Sequence, residues 1–276
     1  LMVFDLGGGT FDVTLLECFE GVVEVKSSAG ESRLGGEDYA DAFAAWIQNE
    51  FHWKQQEEEK LRWREQVEML KRKLTKEEHA TFPLGDKEAP ISRDDFRAAT
   101  VELTSRLRPV VRRAMRDANL TPQHLDAVLL VGGASRMPLV IDQLREDLKL
   151  PPNTSLDPDR VVALGAAVQQ ALCVGDTAVR DLVLTDVCPH SLGVEVTKPL
   201  LPGHMEPGYF SPILDRNTTV PVSRSEVYHT LHPDQDEVLL KIYQGESRLT
   251  KDNQLIGQVR FHGMKSRPGQ DRAGEF

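Results

Sequence analysis

The sequence contains few cysteines and aromatic residues and lacks long hydrophobic runs. Its three cysteines, Cys18, Cys173 and Cys188, are too far apart for a metal-binding or disulfide pattern. Such sparse cysteine usage is typical of a reducing compartment, so we expect a cytoplasmic protein. No stretch reaches the roughly 18 consecutive apolar residues that a membrane span needs. Residues 1–6 carry no positively charged segment, which argues against a signal peptide there.

The sequence also lacks a basic segment. It has 43 acidic and 33 basic residues, a formal net charge of −10. A nucleic-acid-binding surface is therefore not expected, and neither nucleic acid nor membrane is predicted as a partner. Hydrophobic residues make up 40% and charged residues 28%, the balance of a globular protein. A length of 276 residues allows one large domain or two smaller ones.

Sequence periodicity changes near residue 176. Before it, strands alternate with helices, which predicts an α/β domain. The predicted strands are 2–5, 11–16, 22–25 and 125–131, and the predicted helices are 37–52, 54–77, 93–118, one from Pro138, and 157–170. Ser92 is a good N-cap for the helix at 93–118, with Asp95 at its third position. After it come short β-rich runs at 182–187, 192–196, 226–231 and 237–243, typical of an all-β domain. We predict domains at 1–176 and 187–276, joined by a linker at 177–186.

The first candidate site is the glycine turn between the first two strands. Gly7, Gly8 and Gly9 allow backbone N–H groups to approach an anion closely, and the following Thr10 adds a hydroxyl donor. Asp5 and Asp12 flank the turn, where carboxylates can hold the water shell of Mg²⁺ or orient an attacking water. The turn has neither the Walker lysine nor the helix of a dinucleotide fingerprint. A plain glycine-rich hairpin remains an alternative.

Two further groups of residues suggest ligand binding. The strand 128–131 ends in Gly132-Gly133, which leaves room for a ring or sugar, and Arg136 can stack on a base or reach a phosphate. A tight strand-to-helix turn would explain the same glycines. In the charged helix, one side carries Glu68, Lys71, Arg72 and Thr75. By themselves these four residues predict a solvated helix face.

Taken together, these motifs resemble those of a known family. The glycine turn, Leu34-Gly35-Gly36-Glu37-Asp38, residues 132–136 and Asp157-Pro158-Asp159 resemble the second lobe of the actin-like ATPase domain of the seventy-kilodalton heat-shock chaperones of the DnaK type. Residues 186–195, Asn217-Thr218-Thr219-Val220-Pro221 and Gln244-Gly245-Glu246 resemble the start of that family's peptide-binding β-sandwich. The resemblance covers about residues 1–257 and is nearest the bacterial HscC branch.

The resemblance implies an ATP/ADP site with Mg²⁺. Asp5, Asp12 and Thr10 would be catalytic, with Mg²⁺ held through water by Asp5 and Asp12. The residues implied to contact the nucleotide are Gly7, Gly8, Gly9, Thr10, Gly36, Glu68, Lys71, Arg72, Thr75, Gly132, Gly133, Ser135, Arg136 and Asp159. For the charged helix, this implication replaces the solvated-face interpretation.

The resemblance also implies a peptide channel in the second domain. Its residues would be Val194, Thr197, Tyr228, Leu231, Val238 and Leu240. Without the resemblance, these positions are typical of the core of a β domain. The implied partners are extended hydrophobic peptides of unfolded proteins, a J-domain cochaperone and a nucleotide-exchange factor.

The family's first phosphate loop, Asp-Leu-Gly-Thr-Thr, does not occur in these 276 residues. We therefore expect a partial chain that lacks the first ATPase lobe and the C-terminal part of the sandwich, with little ATPase activity of its own. After Gly257 only Val259 and Phe261 suit a strand, and the rest is expected to be a tail. Two alternatives stay open: another actin-like ATPase or sugar kinase with an unrelated β-domain, and a peptide-binding module without hydrolysis.

Overall fold

The computed structural model describes residues 1–53, 60–153, 155, 157–201, 204–231 and 235–263. The chain divides into two compact units, Leu1–Leu184 and Thr185–Phe276. Within the described ranges, no helix has the length and apolar character needed to cross a bilayer.

The first unit mixes helices and strands, as predicted. Its strands are β1 (Met2–Leu6), β2 (Phe11–Phe19), β3 (Val22–Glu31), β4 (His79–Leu84), β5 (Lys87–Ser92) and β6 (Val128–Val131). Its helices are α1 (Gly36–Glu50), α2 (Lys60–Lys76), α3 (Arg93–Asp117), α4 (Pro138–Leu148) and α5 (Val161–Cys173). The predicted helix at 54–77 is confirmed over α2, and its first six positions, 54–59, lie outside the described residues.

The main sheet of this unit contains the strands in the order β3-β2-β1-β6. β1 runs antiparallel to β2 and parallel to β6, so the carboxyl ends of β1 and β6 meet at one edge. Alternation along β1 buries Phe4 and Leu6 fully and places Asp5 on the other face. The Phe4 and Phe11 rings pack 4.6 Å apart in the core.

Helix α3 begins where the sequence predicts. The Ser92 hydroxyl accepts the Asp95 N–H at 3.1 Å, and the Asp95 carboxylate accepts the Ser92 N–H at 2.7 Å. This reciprocal capping satisfies backbone donors that the first turn would otherwise leave without partners. The helix then packs on α1, with the rings of Phe43 and Phe96 4.8 Å apart.

One element of the first unit was missed, and several predicted bounds are wrong: the strand expected over 125–131 begins only at Val128, and the strand expected over 22–25 continues to Glu31. The hairpin β4–β5 was not predicted, although Phe82 and Ile91 are buried on one of its faces. The helix expected over 157–170 begins only at Val161. The carboxylate of Asp157 accepts the Asp159 N–H at 3.1 Å and so stabilises a turn before α5.

In its described residues, the second unit is built mainly of strands, with one short 3₁₀ helix at Thr250–Asp252. The strands are β7 (Val183–Val187, which begins in the first unit), β8 (Leu192–Leu201), β9 (His204–Leu214), β10 (Thr219–Val220), β11 (Glu237–Gln244) and β12 (Gln254–His262). An antiparallel sheet has the order β12-β11-β8-β9. The β-rich character is confirmed for the described part of this unit.

Two predictions for the second unit require correction, and one strand was missed. Residues 226–231 do not form a strand: the described chain there has only a single bridge position, at His229. β9 was not predicted, because Pro207, Gly208 and Pro212 interrupt its pattern, but pairing with β8 keeps it extended. The expected tail after Gly257 continues as strand to His262, because each of these residues pairs with β11. Residues 264–276 lie outside the described ranges.

Candidate nucleotide site

The glycine turn between β1 and β2 is held by the N-terminus of α1. The Gly7 N–H donates to the Thr10 carbonyl at 3.0 Å and closes the turn. The N–H groups of Gly36 and Glu37 donate to the carbonyls of Gly7 and Gly8 at 2.9 and 2.7 Å. Gly8, Gly9 and Thr10 are exposed. The turn is therefore fixed from behind while its outer surface stays open to a ligand.

Close approach explains one glycine of the Leu34-Gly35-Gly36 motif. A Cβ at Gly35 would overlap the backbone of Gly8 and Gly9. Gly35 is thus required for α1 to reach the turn. Gly36 is less tightly enclosed than Gly35, since a Cβ added there would lie 3.1 Å from the Ala134 Cβ. The two glycine turns of the first unit come together at this point.

Asp5 and Asp12 lie directly opposite each other across β1 and β2. Partial burial, and secondarily the negative charge of Asp12, raise the pKa of Asp5 above its usual range. The Asp12 carboxylate lies against Gly30 on β3, where a Cβ would overlap it. The pair forms a local concentration of negative charge that a bound cation would relieve.

The turn after β6 is also built around a glycine. Gly132 has a φ of +80°, and a Cβ there would overlap the Leu6 carbonyl at the end of β1. Ser135 is fully buried and donates its hydroxyl to the Gly132 carbonyl at 2.7 Å. In this structure Gly132 and Ser135 shape the turn, while Gly133 faces the adjoining cavity.

The charged face of α2 is not simply solvated. Lys71 is buried, and its Nζ donates to the Gly36 carbonyl at 2.6 Å and lies 2.6 Å from Glu68 Oε2. Arg72 Nε donates to the other oxygen of Glu68 at 2.9 Å. The Thr75 hydroxyl donates to the Lys71 carbonyl within the helix, at 3.1 Å. Lys71 therefore ties α2 to the N-terminus of α1, beside the glycine turn.

A cavity of about 1050 Å³ lies among these elements of the first unit. The predicted residues that line it are Gly7, Gly8, Gly36, Glu68, Lys71, Arg72, Thr75, Gly133, Arg136 and Asp159. The predicted residues outside this lining are Asp5, Asp12, Gly9, Thr10, Gly132 and Ser135. The fold thus brings residues from five separate motifs to one cavity: the glycine turn, residues 34–38, the charged helix, residues 132–136 and residues 157–159.

Sequence reasoning missed an ion pair in this lining. Arg64 on α2 contacts Asp41 on α1, with nitrogen and oxygen 3.1 Å apart. Arg64 lies on the same helix side as Glu68, four residues earlier, which is the signal that could have identified it. Its partner could not be found that way, because Asp41 belongs to another helix.

Arg136 is held by two carboxylates. Its Nη2 donates to Asp157 Oδ1 at 3.0 Å and to Asp159 Oδ2 at 2.9 Å. All three side chains are partly exposed. Both hydrogen bonds are donated by one nitrogen at the edge of the guanidinium, so its planar face stays available to a ligand.

In the second unit, three of the predicted peptide-channel residues share one face of the sheet. Val194 on β8 pairs with Ile242, and Val238 and Leu240 precede Ile242 at two-residue steps on β11. The Tyr228 hydroxyl donates to Ser211, which is opposite Val194 on β9. The register therefore places Tyr228 beside this face.

The two other predicted channel residues differ from that group. Thr197 lies at an irregularity in the β8–β9 register and has no residue directly opposite it. Leu231 is half exposed, and its N–H donates to the Gln235 side chain at 3.0 Å. The structure does not place either of them in register with Val194.

The fold and the cavity of the first unit define a class: a mixed α/β protein whose glycine turns converge on a ligand-sized cavity at the ends of adjacent strands. Comparison with known proteins gives the family. The family model described as "Hsp70 protein" matches residues 1–273, so the chain belongs to the Hsp70 family.

The relatives of this chain are named as chaperones. Chaperone protein DnaK of Deinococcus deserti is 37% identical over 286 residues, which cover 96% of this chain and 44% of the relative. DnaK of Thermotoga maritima is 37% identical, with coverage of 97% and 47%. DnaK of Thermus thermophilus is 38% identical, with coverage of 97% and 45%. The chain therefore spans less than half the length of these relatives.

Proposed function

We propose that the first unit binds ATP and ADP in the cavity between its two glycine turns and α2. The observation that carries the proposal is that one cavity is lined by Gly7 and Gly8, by Gly133 and Arg136, and by the charged face of α2. Backbone N–H groups at glycine turns suit phosphates, and the guanidinium face suits a base. The Hsp70 family, whose members are ATPases, supplies independent support.

The chemistry of Asp5 and Asp12 fits Mg²⁺. This ion keeps several waters and is usually held by one or two carboxylates together with substrate phosphates. Two facing carboxylates beside a phosphate-sized turn meet that requirement, and the raised pKa of Asp5 reflects its partial burial together with repulsion within the pair. When bound, Mg²⁺ would neutralise phosphate charge. Asp5 and Asp12 would hold its water shell, and Thr10 would donate its hydroxyl to a phosphate.

Nucleotide binding is tested by titrating the purified chain with ADP and Mg²⁺ in a calorimeter. Gly133→Val is the sharpest variant, because a Cβ at Gly133 meets only Asp159 Oδ1, at 4.0 Å. The valine side chain should occupy the part of the cavity next to residue 133 and leave the conformation of the turn unchanged. We expect binding by the parent chain and at least about tenfold weaker binding by Gly133→Val. Asp5→Asn should weaken binding only when Mg²⁺ is present.

Ser105→Ala is the matched control, since this exposed hydroxyl on α3 lies outside the cavity lining. It should bind ADP like the parent chain. Equal affinities for Gly133→Val and the parent would contradict the proposed location. An absence of binding by the parent would contradict the proposed function.

For the whole protein, we propose an ATP-dependent chaperone that binds and releases extended hydrophobic segments of unfolded proteins. The second unit would be part of a β-sandwich whose channel includes the face of Val194, Val238 and Leu240. Extended peptides bind such modules through backbone hydrogen bonds, while an apolar pocket selects a side chain. A J-domain cochaperone and a nucleotide-exchange factor are the regulatory partners proposed with it.

Neighbouring leucines on β11 provide the peptide-binding test. Leu240 lies on the proposed face, whereas Leu239 points to the opposite face and is 39% exposed. A fluorescent, extended, leucine-rich peptide should bind the parent chain and Leu239→Asp, but bind Leu240→Asp at least about tenfold more weakly. Similar losses in both variants would contradict the assignment of the face.

The family match extends through both units, which favours this function over an unrelated actin-like ATPase or sugar kinase with a different β-domain. The other alternative is a peptide-binding module without hydrolysis that uses only the second unit. The ADP titration separates it from our proposal, because only the proposed function requires Gly133 to face a nucleotide.

A further inference from the structure

Asp157 lies in the turn before α5 and contacts the side chain of Arg136. Its Oδ1 accepts a hydrogen bond from Arg136 Nη2 at 3.0 Å and another from the backbone N–H of Asp159 at 3.1 Å. Its Oδ2 lies 3.5 Å from Arg160 Nε. The Asp157 carboxylate therefore holds the Arg136 guanidinium and also the backbone of Asp159. The side chain of Asp159 is the second carboxylate that binds this guanidinium.

The two aspartates line different cavities. Asp159 lines the cavity of about 1050 Å³ proposed for the nucleotide. Asp157 instead lines a second cavity of about 520 Å³, together with Leu130 and Ile141. Arg136 lines both cavities and separates them. A ligand in the larger cavity would thus contact Arg136 and Asp159. Asp157 would bind Arg136 from the side of the smaller cavity.

We propose that Asp157 is a positioning residue for nucleoside recognition: it fixes the Arg136 guanidinium so that its planar face is presented to the base. This inference rests on the proposed nucleotide-binding function. An arginine that is half exposed, at 49%, would otherwise sample many rotamers. Ordering it before the ligand arrives reduces the entropy lost on binding. The residue has no predicted contact with the nucleotide itself.

Comparing adenosine with ADP tests this role on the full 276-residue chain. Adenosine has a base but no phosphate, so an effect through the base must appear with both ligands. Asp157→Asn keeps an oxygen acceptor for the Asp159 N–H and removes one of the two charges that hold Arg136. We expect about threefold weaker binding of both adenosine and ADP, the size typical of an exposed ion pair.

Two further variants make the test specific. Asp147→Asn is the matched control, because Asp147 accepts from Arg108 at 2.9 Å in a similar exposed pair that lies outside both cavity linings. It should not change either affinity. In an Arg136→Gln background, Asp157→Asn should cause no further loss, since the group it positions is gone.

The outcomes separate the inference from the function on which it rests. If Asp157→Asn weakened binding equally in the Arg136→Gln background, its role would be structural and the inference overturned. If Asp157→Asn bound ADP more tightly and adenosine as the parent chain does, the aspartate would act by repelling the phosphates. That result would also overturn the inference. If the parent chain bound neither ligand, the proposed function would fail and the assignment with it.

Discussion

At the scale of single residues, stability depends most specifically on the charge of Asp5 and on the space around the glycine turns. Asp5 faces Asp12 across two strands, and burial raises its pKa. A carboxyl whose pKa is higher in the folded than in the unfolded chain binds protons more tightly when folded. Its contribution to stability is therefore lost as pH rises from the ordinary aspartate range through the raised pKa.

Asp5→Asn should stabilise the chain at pH 7 and lose this advantage at low pH, where Asp5 is already protonated. Burial of the charged carboxylate and, secondarily, repulsion by Asp12 both favour this gain in the absence of Mg²⁺. Cross-strand side-chain pairs are typically worth roughly 0.2–1 kcal/mol, and we expect a gain of that order. Urea midpoints at pH 7 and at a pH below 3.8, the ordinary pKa of aspartate, measure it, with the exposed Asp126 changed to Asn as control. A lower midpoint for Asp5→Asn at pH 7 would contradict the pKa argument.

A pair of Gly→Ala changes tests the turn after β6. Gly132→Ala should destabilise the first unit by about 1–3 kcal/mol, because its φ is +80° and its Cβ would overlap Leu6. Gly165→Ala, inside α5, meets no atom within 4 Å and should stabilise by about 0.5–1 kcal/mol. Thermal unfolding distinguishes these opposite signs. Equal effects would rule out the steric explanation.

At the scale of elements, local signals identified helices better than strands. The Ser92–Asp95 capping pattern located the start of α3 because both of its hydrogen bonds lie within four residues. The strand β9 carries Pro207, Gly208 and Pro212, which locally favour turns, and only its partner β8 makes it a strand. The reverse error occurred at 226–231, where a β-type composition has no paired strand in the described residues.

The cap of α3 gives a prediction at this scale. Ser92→Ala should destabilise the first unit by about 1 kcal/mol, because it leaves the Asp95 N–H without its acceptor. Ser105→Ala, on the exposed side of the same helix, should change stability by less than about 0.5 kcal/mol. Urea titration of both variants measures the difference, and equal midpoints would show that the cap contributes nothing.

At the scale of the whole molecule, the chain matches less than half of each of its DnaK relatives. Its 276 residues contain the glycine turn at Gly7–Gly9 but no Asp-Leu-Gly-Thr-Thr loop. Phosphoryl transfer depends on preorganised groups placed around the phosphate. We therefore expect this chain to bind nucleotide, as proposed above, but to hydrolyse it only slowly.

We expect the isolated chain to hydrolyse ATP at least about 100-fold more slowly than full-length DnaK of Thermus thermophilus, since losing a single preorganised donor already costs that much. Phosphate release under saturating ATP and Mg²⁺ measures both proteins at the same temperature. Comparable turnover numbers would show that the groups present in these 276 residues suffice for catalysis.

The sequence by itself determined the glycine turns, the helix cap of α3 and the motif set that places the chain in its family, because these features depend on neighbours within a few residues. Only the tertiary structure decided that Lys71 is buried against Gly36, that Arg64 pairs with Asp41, and that Asp157 holds Arg136. Each of these contacts joins residues 21 to 35 positions apart. Whether residues so far apart in the sequence come into contact depends on how the helices and strands pack. No local sequence pattern specifies that packing.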